Sequence, residues 1–340
     1  MKSDIAELIS YQKFPVISAV ISLGLARADN ETKIRRVLAE ALSLIPKALL
    51  RVDREIFLAR LELMLQELAA AGHPKSVAIF VGKEFTRIMP LNFTAQDRLV
   101  IDRTCAVMEV VYSKTMFPLF NVIVLSGNDA RVFKGVGDHL VEIKHCQLVS
   151  HLSHLLKHHV DVIKTTQSEK VNSANTTSCS ALQLNAAFLA LIKNLDHPAI
   201  VIGLDRIGAF SQEMLKFIAG SADGDFDYVS NAEIGRLAEE IASKWVTRKM
   251  QNERSAIDRY KHCKKLGSGA VEIKTLIEHG RVDKLYLEDL QTAGLAQSNS
   301  HKLTVQDLLL SLALKSDGQV LFMPPGSLSE YEGMAAGLRY

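Results

Sequence analysis

The densest run of chemically versatile side chains is a histidine cluster near the middle of the sequence. His151, His154 and His158 are separated by three and then four residues, so a helix would bring all three imidazoles to one face. Neutral imidazoles presented in this way bind zinc or another borderline transition metal. The spacing therefore predicts a candidate metal site, and with it a metal-dependent hydrolase as one functional class.

The same segment has a simpler interpretation. Its leucines also require a face of the helix, and they are Leu148, Leu152, Leu155 and Leu156. On this interpretation the histidines form the solvated side of an amphipathic helix. Asp161 lies near, but no carboxylate stands at a spacing that completes a ligand set. We therefore expect no cofactor, and catalysis is the less favoured of the two interpretations.

A second set of candidates consists of cations that follow the single tryptophan. Between Trp245 and Lys265, seven lysines and arginines stand against only Glu253 and Asp258. Such a stripe can neutralise phosphates and give RNA affinity that depends on salt. The alternative is a solvated helix that connects two domains. The RNA-binding candidates in this stretch are Arg248, Lys249, Arg259, Lys261, Lys264 and Lys265.

A third, smaller group comprises Lys33, Arg35 and Arg36. The pattern of apolar residues places them in the first turns of a helix, where the helix dipole disfavours positive charge. This unfavourable position hints at an anionic partner, so the three residues join the RNA-binding candidates.

These side chains are positioned by alternating strands and helices. Short apolar runs predict strands at 14–26, 76–81, 86–91, 140–143, 199–204, 282–288 and 319–323, with a hairpin from 119 across a Gly-Asn-Asp turn. Helical periodicity predicts helices from 29–32 to about 45 and at 54–71, 181–195, 214–218, 232–245, 256–266, 270–279 and 305–315. The polar stretch 165–180 predicts an exposed loop.

Length and composition limit the classes of protein to consider. A chain of 340 residues predicts two or three domains. Four widely spaced cysteines without a CxxC pair argue against a zinc ribbon or a disulfide framework and favour a reducing compartment. No apolar run has the length of a membrane span. We therefore expect a cytoplasmic protein that does not bind to or span a membrane.

Three stretches, in this order, resemble the class-1 peptide-release factors of archaea and eukaryotes. The first is PVISAVISLGL followed by TKIRRVLAEAL and VAIFVG; the second is NVIVLSGNDARVFKG followed by HPAIVIGLDRIGAF. The third is EIKTLIEHGRVDKLYLED with the closing MAAGLRY. The chain looks most like the bacterial homologues described as archaeo-eukaryotic-type release factors.

The resemblance implies a fold. It predicts an α/β protein of three domains: an N-terminal α/β domain at 1–115, a central ribonuclease-H-like domain at 116–246, and a C-terminal α/β sandwich at 247–340 that resembles kink-turn-binding ribosomal proteins. It also implies a ribosome or a structured RNA as the partner. Fold alone, however, does not imply an activity.

The sequence departs from the family at both of its signature motifs. Release factors carry Gly-Gly-Gln on a central-domain loop, but the matching region, residues 144–180, contains no glycine. The nearest match to the stop-codon motif Asn-Ile-Lys-Ser is Asn30-Glu31-Thr32-Lys33-Ile34-Arg35, which is not that motif. We therefore expect a translation-related protein that does not hydrolyse peptidyl-tRNA. A metal-dependent hydrolase and a stand-alone interaction module, with a homo-oligomer left open, are the alternatives.

Overall fold

The structure is a computed structural model. It describes residues 2–45 without 25, 59–60, 74–143 without 127–128 and 137–138, 154, 186, 188–190, 192–193, 195–224 without 204–215, 226, 228–289 and 301–340. The chain divides into two compact units. Unit 1 contains residues 1–117 and 250–340, and unit 2 contains residues 118–249.

The first sheet of unit 1 is antiparallel and has the strand order β3-β2-β1-β4. The N-terminal elements are α1 (Lys2–Ser10), β1 (Val16–Ser22), α2 (Arg27–Leu44), β2 (Ser76–Val81), β3 (Thr86–Leu91), β4 (Arg98–Asp102) and α3 (Met108–Met116). The two central strands, β1 and β2, are almost wholly buried. Such apolar runs are typical of strands covered on both faces. Ile34, Leu38 and Ala41 of α2 pack on one of these faces.

The other sheet of unit 1 has the order β10-β13-β11-β12. Its elements are β10 (Leu266–Ser268), α5 (Ala270–Glu278), β11 (Val282–Glu288), α6 (Val305–Lys315), β12 (Gln319–Met323), a 3₁₀ turn (Ser329–Tyr331) and β13 (Met334–Leu338). Strands β11 and β12 are parallel, and β13 runs antiparallel to β10 and β11. This β-α-β-α-β-β arrangement is that of the kink-turn-binding ribosomal proteins, as predicted.

The two sheets of unit 1 share a hydrophobic core. Tyr112 of α3 meets Phe322 of β12 edge to face, with ring centroids 5.0 Å apart. One continuous cluster of buried apolar residues joins Val20 and Phe80 of the first sheet to Leu285 of the other. The N-terminal and C-terminal segments of the chain are therefore packed as one body.

Unit 2 contains a five-stranded sheet with the order β7-β6-β5-β8-β9. Its strands are β5 (Phe120–Ser126), β6 (Asp129–Val136), β7 (His139–Glu142), β8 (Ala199–Ile202) and β9 (Ile218–Ala222). The first three are antiparallel neighbours, and β8 and β9 run parallel to β5. This order and these directions are those of a ribonuclease-H-like sheet. The predicted α/β fold class is therefore confirmed, while the boundaries at 115 and 246 stay a prediction.

One helix, α4 (Asn231–His262), differs from the prediction. The sequence predicted two helices, at 232–245 and 256–266, but α4 is continuous over 32 residues. The division between the two units falls inside it, after Lys249. Polar and charged residues fill most of its exposed positions, so the apolar periodicity on which the prediction relied was too sparse to follow.

Three further predictions need correction. The segment predicted as helix at 214–218 has a turn at 216–217, and strand β9 starts at Ile218. Strand β4 and helix α3 lie in a stretch that the sequence prediction left as a connection. Helix α2 begins at Arg27, ahead of the predicted 29–32. The predicted helix 54–71 and loop 165–180 lie outside the described residues, apart from 59–60.

Within the described part of the chain, no helix combines the length and the hydropathy that a membrane span requires.

Candidate nucleic-acid interface

Lys33 makes its contacts inside the fold. Its ammonium donates to the Ser22 carbonyl at 2.9 Å and to the Ser22 hydroxyl at 2.7 Å, and it pairs with the Asp97 carboxylate at 2.7 Å. Asp97 also accepts from the backbone N–H of Ser22 at 2.8 Å. Burial opposes ionisation of Asp97, but the bonds from Lys33 and Ser22 hold its pKa below the ordinary value. The charge of Lys33 is therefore neutralised where α2 packs beside β1.

Arg35 and Arg36 point outward from α2. Because α2 begins at Arg27, both lie beyond its first two turns. The unfavourable interaction with the helix dipole, which made them candidates, is therefore absent, since the dipole effect is confined to the first turn. Arg36 remains exposed and available to an anion, while Arg35 takes part in an interaction within the chain.

In unit 2, the two basic candidates are Arg248 and Lys249. The Lys249 ammonium lies 5.4 Å from the centroid of the Trp245 ring. Trp245 in turn meets Phe120 of β5 edge to face at 5.6 Å. A cation–π contact of this kind stabilises the helix where it covers the sheet. Arg248 is exposed.

The remaining candidates cluster at the end of α4 in unit 1. Lys261 pairs with Glu330 at 3.1 Å and lies 5.6 Å from the Tyr331 ring centroid. The hydrogen bonds to Glu330 and Tyr331 raise its pKa. Arg259 and Lys264 are exposed, and Lys265 is half-buried. Lys264 adopts a left-handed φ of 55°, which ends the helix.

Part of this basic cluster has a structural explanation. Arg259, Lys261 and His262 occupy the last turn of α4. A helix C-terminus carries a partial negative charge, so the cations Arg259 and Lys261 stabilise the helix there. The dipole therefore accounts for some of the charge without any ligand, but Lys264 and Lys265 lie beyond the helix.

Of the three predicted metal ligands, only one lies among the residues that the structure describes. His154 is exposed, while His151 and His158 lie outside the described residues. Among the residues that the structure does describe, no group of three or more histidine, cysteine or carboxylate side chains converges as a metal site would require. We assign no catalytic residue.

Sequence reasoning missed the partners of these cations. Asp97, Glu330 and Tyr331 are 64, 69 and 70 residues away from the lysines that they contact. No local spacing links such residues, because only the fold brings them together. The sequence could identify Lys33 and Lys261 as charged, but not as already paired.

Comparisons with known proteins give distant similarities of structure. No protein-family model matches the chain, and no curated protein does. The archaeal translation termination factor aRF1 is 14% identical, with 100% of this chain and 98% of that chain covered and a TM-score of 0.26. Dom34 of S. cerevisiae, a translation termination-like factor, is 13% identical, with 79% and 75% covered and a TM-score of 0.40.

A third similar structure is the archaeal Pelota from a model of ribosome-bound Pelota and ABCE1. It is 10% identical, with 100% of this chain and 94% of that chain covered and a TM-score of 0.40. At such identities and TM-scores, the likeness by itself assigns no activity and no partner.

Proposed function

We propose that this chain is a release-factor-like protein that binds the ribosome or a structured RNA in a translation-related role, without hydrolysing peptidyl-tRNA. The observation that carries the proposal is the succession of three sheets along one chain. The central sheet has the ribonuclease-H-like order, and the C-terminal sheet has the order of kink-turn-binding proteins. This is the succession that the sequence resemblance predicts.

Exposed cations support a polyanionic partner. Arg36, Arg259 and Lys264 of unit 1 and Arg248 of unit 2 are all exposed. The net charge of the chain is only +2, so any attraction to RNA is local rather than global. Lys33 is a structural residue in this proposal, since its charge is already paired.

The absence of Gly-Gly-Gln supports a role without peptidyl-tRNA hydrolysis. These 340 residues contain no pair of adjacent glycines. Glycines free of a Cβ are what let a backbone loop approach tightly packed RNA. A ribosome-bound protein of this kind would act by occupying a site on the ribosome or by recruiting partners to it. We expect such a protein to be cytoplasmic.

Sedimentation in sucrose gradients tests the proposal. The endogenous protein should migrate with ribosomes or with one subunit at low salt, and it should leave them as the salt concentration rises. Mild ribonuclease treatment that converts polysomes to monosomes should move the protein with them. Protein that stays at the top of the gradient in every condition contradicts the proposal.

A further inference from the structure

One end of the C-terminal sheet collects basic side chains from four separate segments. Lys264 and Lys265 precede β10, Arg281 precedes β11, Lys315 ends α6 ahead of β12, and Arg339 follows β13. We call these five residues the basic edge. Three of them, Arg281, Lys315 and Arg339, belong to none of the sequence-predicted candidates.

Backbone hydrogen bonds place the members of the basic edge side by side. The backbone N–H of Arg339 donates to the carbonyl of Arg281 at 2.9 Å. On the other side of β13, the N–H of Leu338 donates to the carbonyl of Lys265 at 2.9 Å. The guanidinium of Arg339 reaches the carbonyls of Ser316 and Asp317, each at 3.0 Å, just after Lys315. The five residues therefore share one end of one sheet.

The two arginines lie just outside the ends of neighbouring strands: Arg281 directly precedes β11, and Arg339 directly follows β13. Like charges held on neighbouring backbone segments repel each other, and an anion bound between them would relieve that repulsion. The Arg281 guanidinium donates to the main-chain oxygen of Tyr340, the last residue of the sequence, at 3.4 Å. The Arg339 guanidinium donates to two backbone carbonyls, those of Ser316 and Asp317.

Nearby acidic groups neutralise the basic edge only in part. Asp283 accepts from the Tyr260 hydroxyl at 3.2 Å, and Glu278 pairs with Lys274 at 3.8 Å. The five cations of the basic edge still outnumber Asp283 and Asp317, so positive charge stays in excess. Helix dipoles explain Lys315, which lies in the last turn of α6. They do not explain Arg281 or Lys265, which flank strands.

We propose that the basic edge binds the phosphodiester backbone of structured RNA. Four of the five side chains are exposed, and Lys265 is half-buried. Guanidinium groups pair with phosphate oxygens through two parallel hydrogen bonds, so two adjacent arginines could hold two successive phosphates of an RNA backbone. The inference rests on the proposed function, because it names the surface through which this chain would hold RNA.

A charge-matched pair of triple variants tests the surface. The first combines Arg281→Gln, Lys315→Gln and Arg339→Gln. The control combines Lys75→Gln, Arg103→Gln and Lys302→Gln, which removes the same charge from exposed sites elsewhere in unit 1. The probe is a fluorescein-labelled RNA hairpin, and its affinity is measured by anisotropy between about 50 and 200 mM salt, the range over which phosphate contacts weaken markedly.

We expect the first triple variant to bind the hairpin at least about tenfold more weakly at the lowest salt, with the salt dependence reduced by roughly one phosphate contact per residue. The control should bind like the unaltered chain. A double variant, Arg281→Lys with Arg339→Lys, keeps the charge and should retain the salt slope. It guards against a loss of folding mistaken for a loss of binding.

Several results overturn the inference. These are equal weakening by the two triple variants, no binding of the hairpin by the unaltered chain, or equally tight binding of a labelled polyglutamate, which indicates an acidic protein partner. The proposed function is judged separately by ribosome sedimentation. If the first triple variant loses hairpin binding but the protein does not associate with ribosomes, the basic edge is supported and the proposed function is contradicted. If the protein associates with ribosomes but the first triple variant binds the hairpin normally, the proposed function is supported and the basic edge is contradicted.

Discussion

Arg98 of β4 and Asp307 of α6 form a buried ion pair that joins the N-terminal and C-terminal segments of unit 1. The side chain of Asp307 is fully buried, and that of Arg98 is 15% exposed. The same guanidinium donates to Glu109 of α3 at 2.8 Å. Asp307 also accepts from the backbone and hydroxyl of Thr304, at 2.9 and 2.7 Å, in a capping box at the start of α6. One arginine therefore serves two carboxylates.

Loss of this arginine should be costly. Arg98→Ala leaves two buried carboxylates without their cation, which typically lowers the free energy of unfolding by about 3–5 kcal/mol. Equilibrium denaturation in urea measures the change. The matched control is Arg87→Ala, because Arg87 pairs with Glu7 at 2.9 Å on the surface, with both side chains about half exposed. Its loss should cost no more than about 1 kcal/mol, and equal costs would contradict the structural role of Arg98.

The pH dependence of stability should report on Glu109. Burial raises the pKa of Glu109 above its ordinary value of 4.5, and the nearby Asp307 adds to the effect, while Arg98 opposes it. The Oε2 atom of Glu109 is buried without a hydrogen-bond partner among the described residues. A carboxyl with a raised folded pKa holds its proton more tightly in the folded chain. Its contribution to stability is therefore present at low pH and is lost as pH rises from 4.5 through the folded value.

Glu109→Gln should remove that loss. The amide does not titrate, so the stability of the variant should fall less than that of the unaltered chain as pH rises above 4.5. Unfolding midpoints measured across this range check the difference. Glu239→Gln, at an exposed position of α4, is the control. Parallel pH profiles for the Glu109 variant and the unaltered chain would show that Glu109 titrates normally.

Lys33 and Arg36 should separate stability from binding. Lys33→Gln breaks the contacts with Asp97 and Ser22, so the free energy of unfolding should fall by about 1–2 kcal/mol. Arg36→Gln should leave stability within about 0.5 kcal/mol. Conversely, Arg36→Gln should lower the salt slope of RNA binding by roughly one, as expected for one phosphate contact. Denaturation and RNA-binding anisotropy are measured on the same two variants. The reverse pattern would make Arg36 the structural residue and Lys33 the RNA-binding residue.

Local patterns predicted much of the fold. Strands β1, β2 and β8 were found because they are continuous apolar runs. The predicted helix at 305–315 was confirmed as α6, where Thr304 and Asp307 form the capping box. The continuity of α4 was not found, because its solvent-facing charges left too few apolar residues to mark a period.

The chemistry of the surface was harder to predict than the fold. Arg98 and Asp307 are 209 residues apart in sequence. The backbones of Arg281 and Arg339 are joined by a hydrogen bond because β11 and β13 are neighbours. Such relationships depend on strand order rather than on spacing. For the same reason, the sequence prediction included Lys33 and overlooked Arg281 and Arg339.

Direct binding to purified ribosomes tests the central claim most directly. Salt-washed ribosomes are mixed with the purified full chain and pelleted through a sucrose cushion, and the protein-to-ribosome ratio is measured as the salt concentration increases. We predict saturable binding that approaches one chain per ribosome at low salt and declines steadily as salt rises, with no release of peptide from peptidyl-tRNA in the same complexes. Absence of saturable binding at low salt, or release of the peptide, would contradict the proposed function.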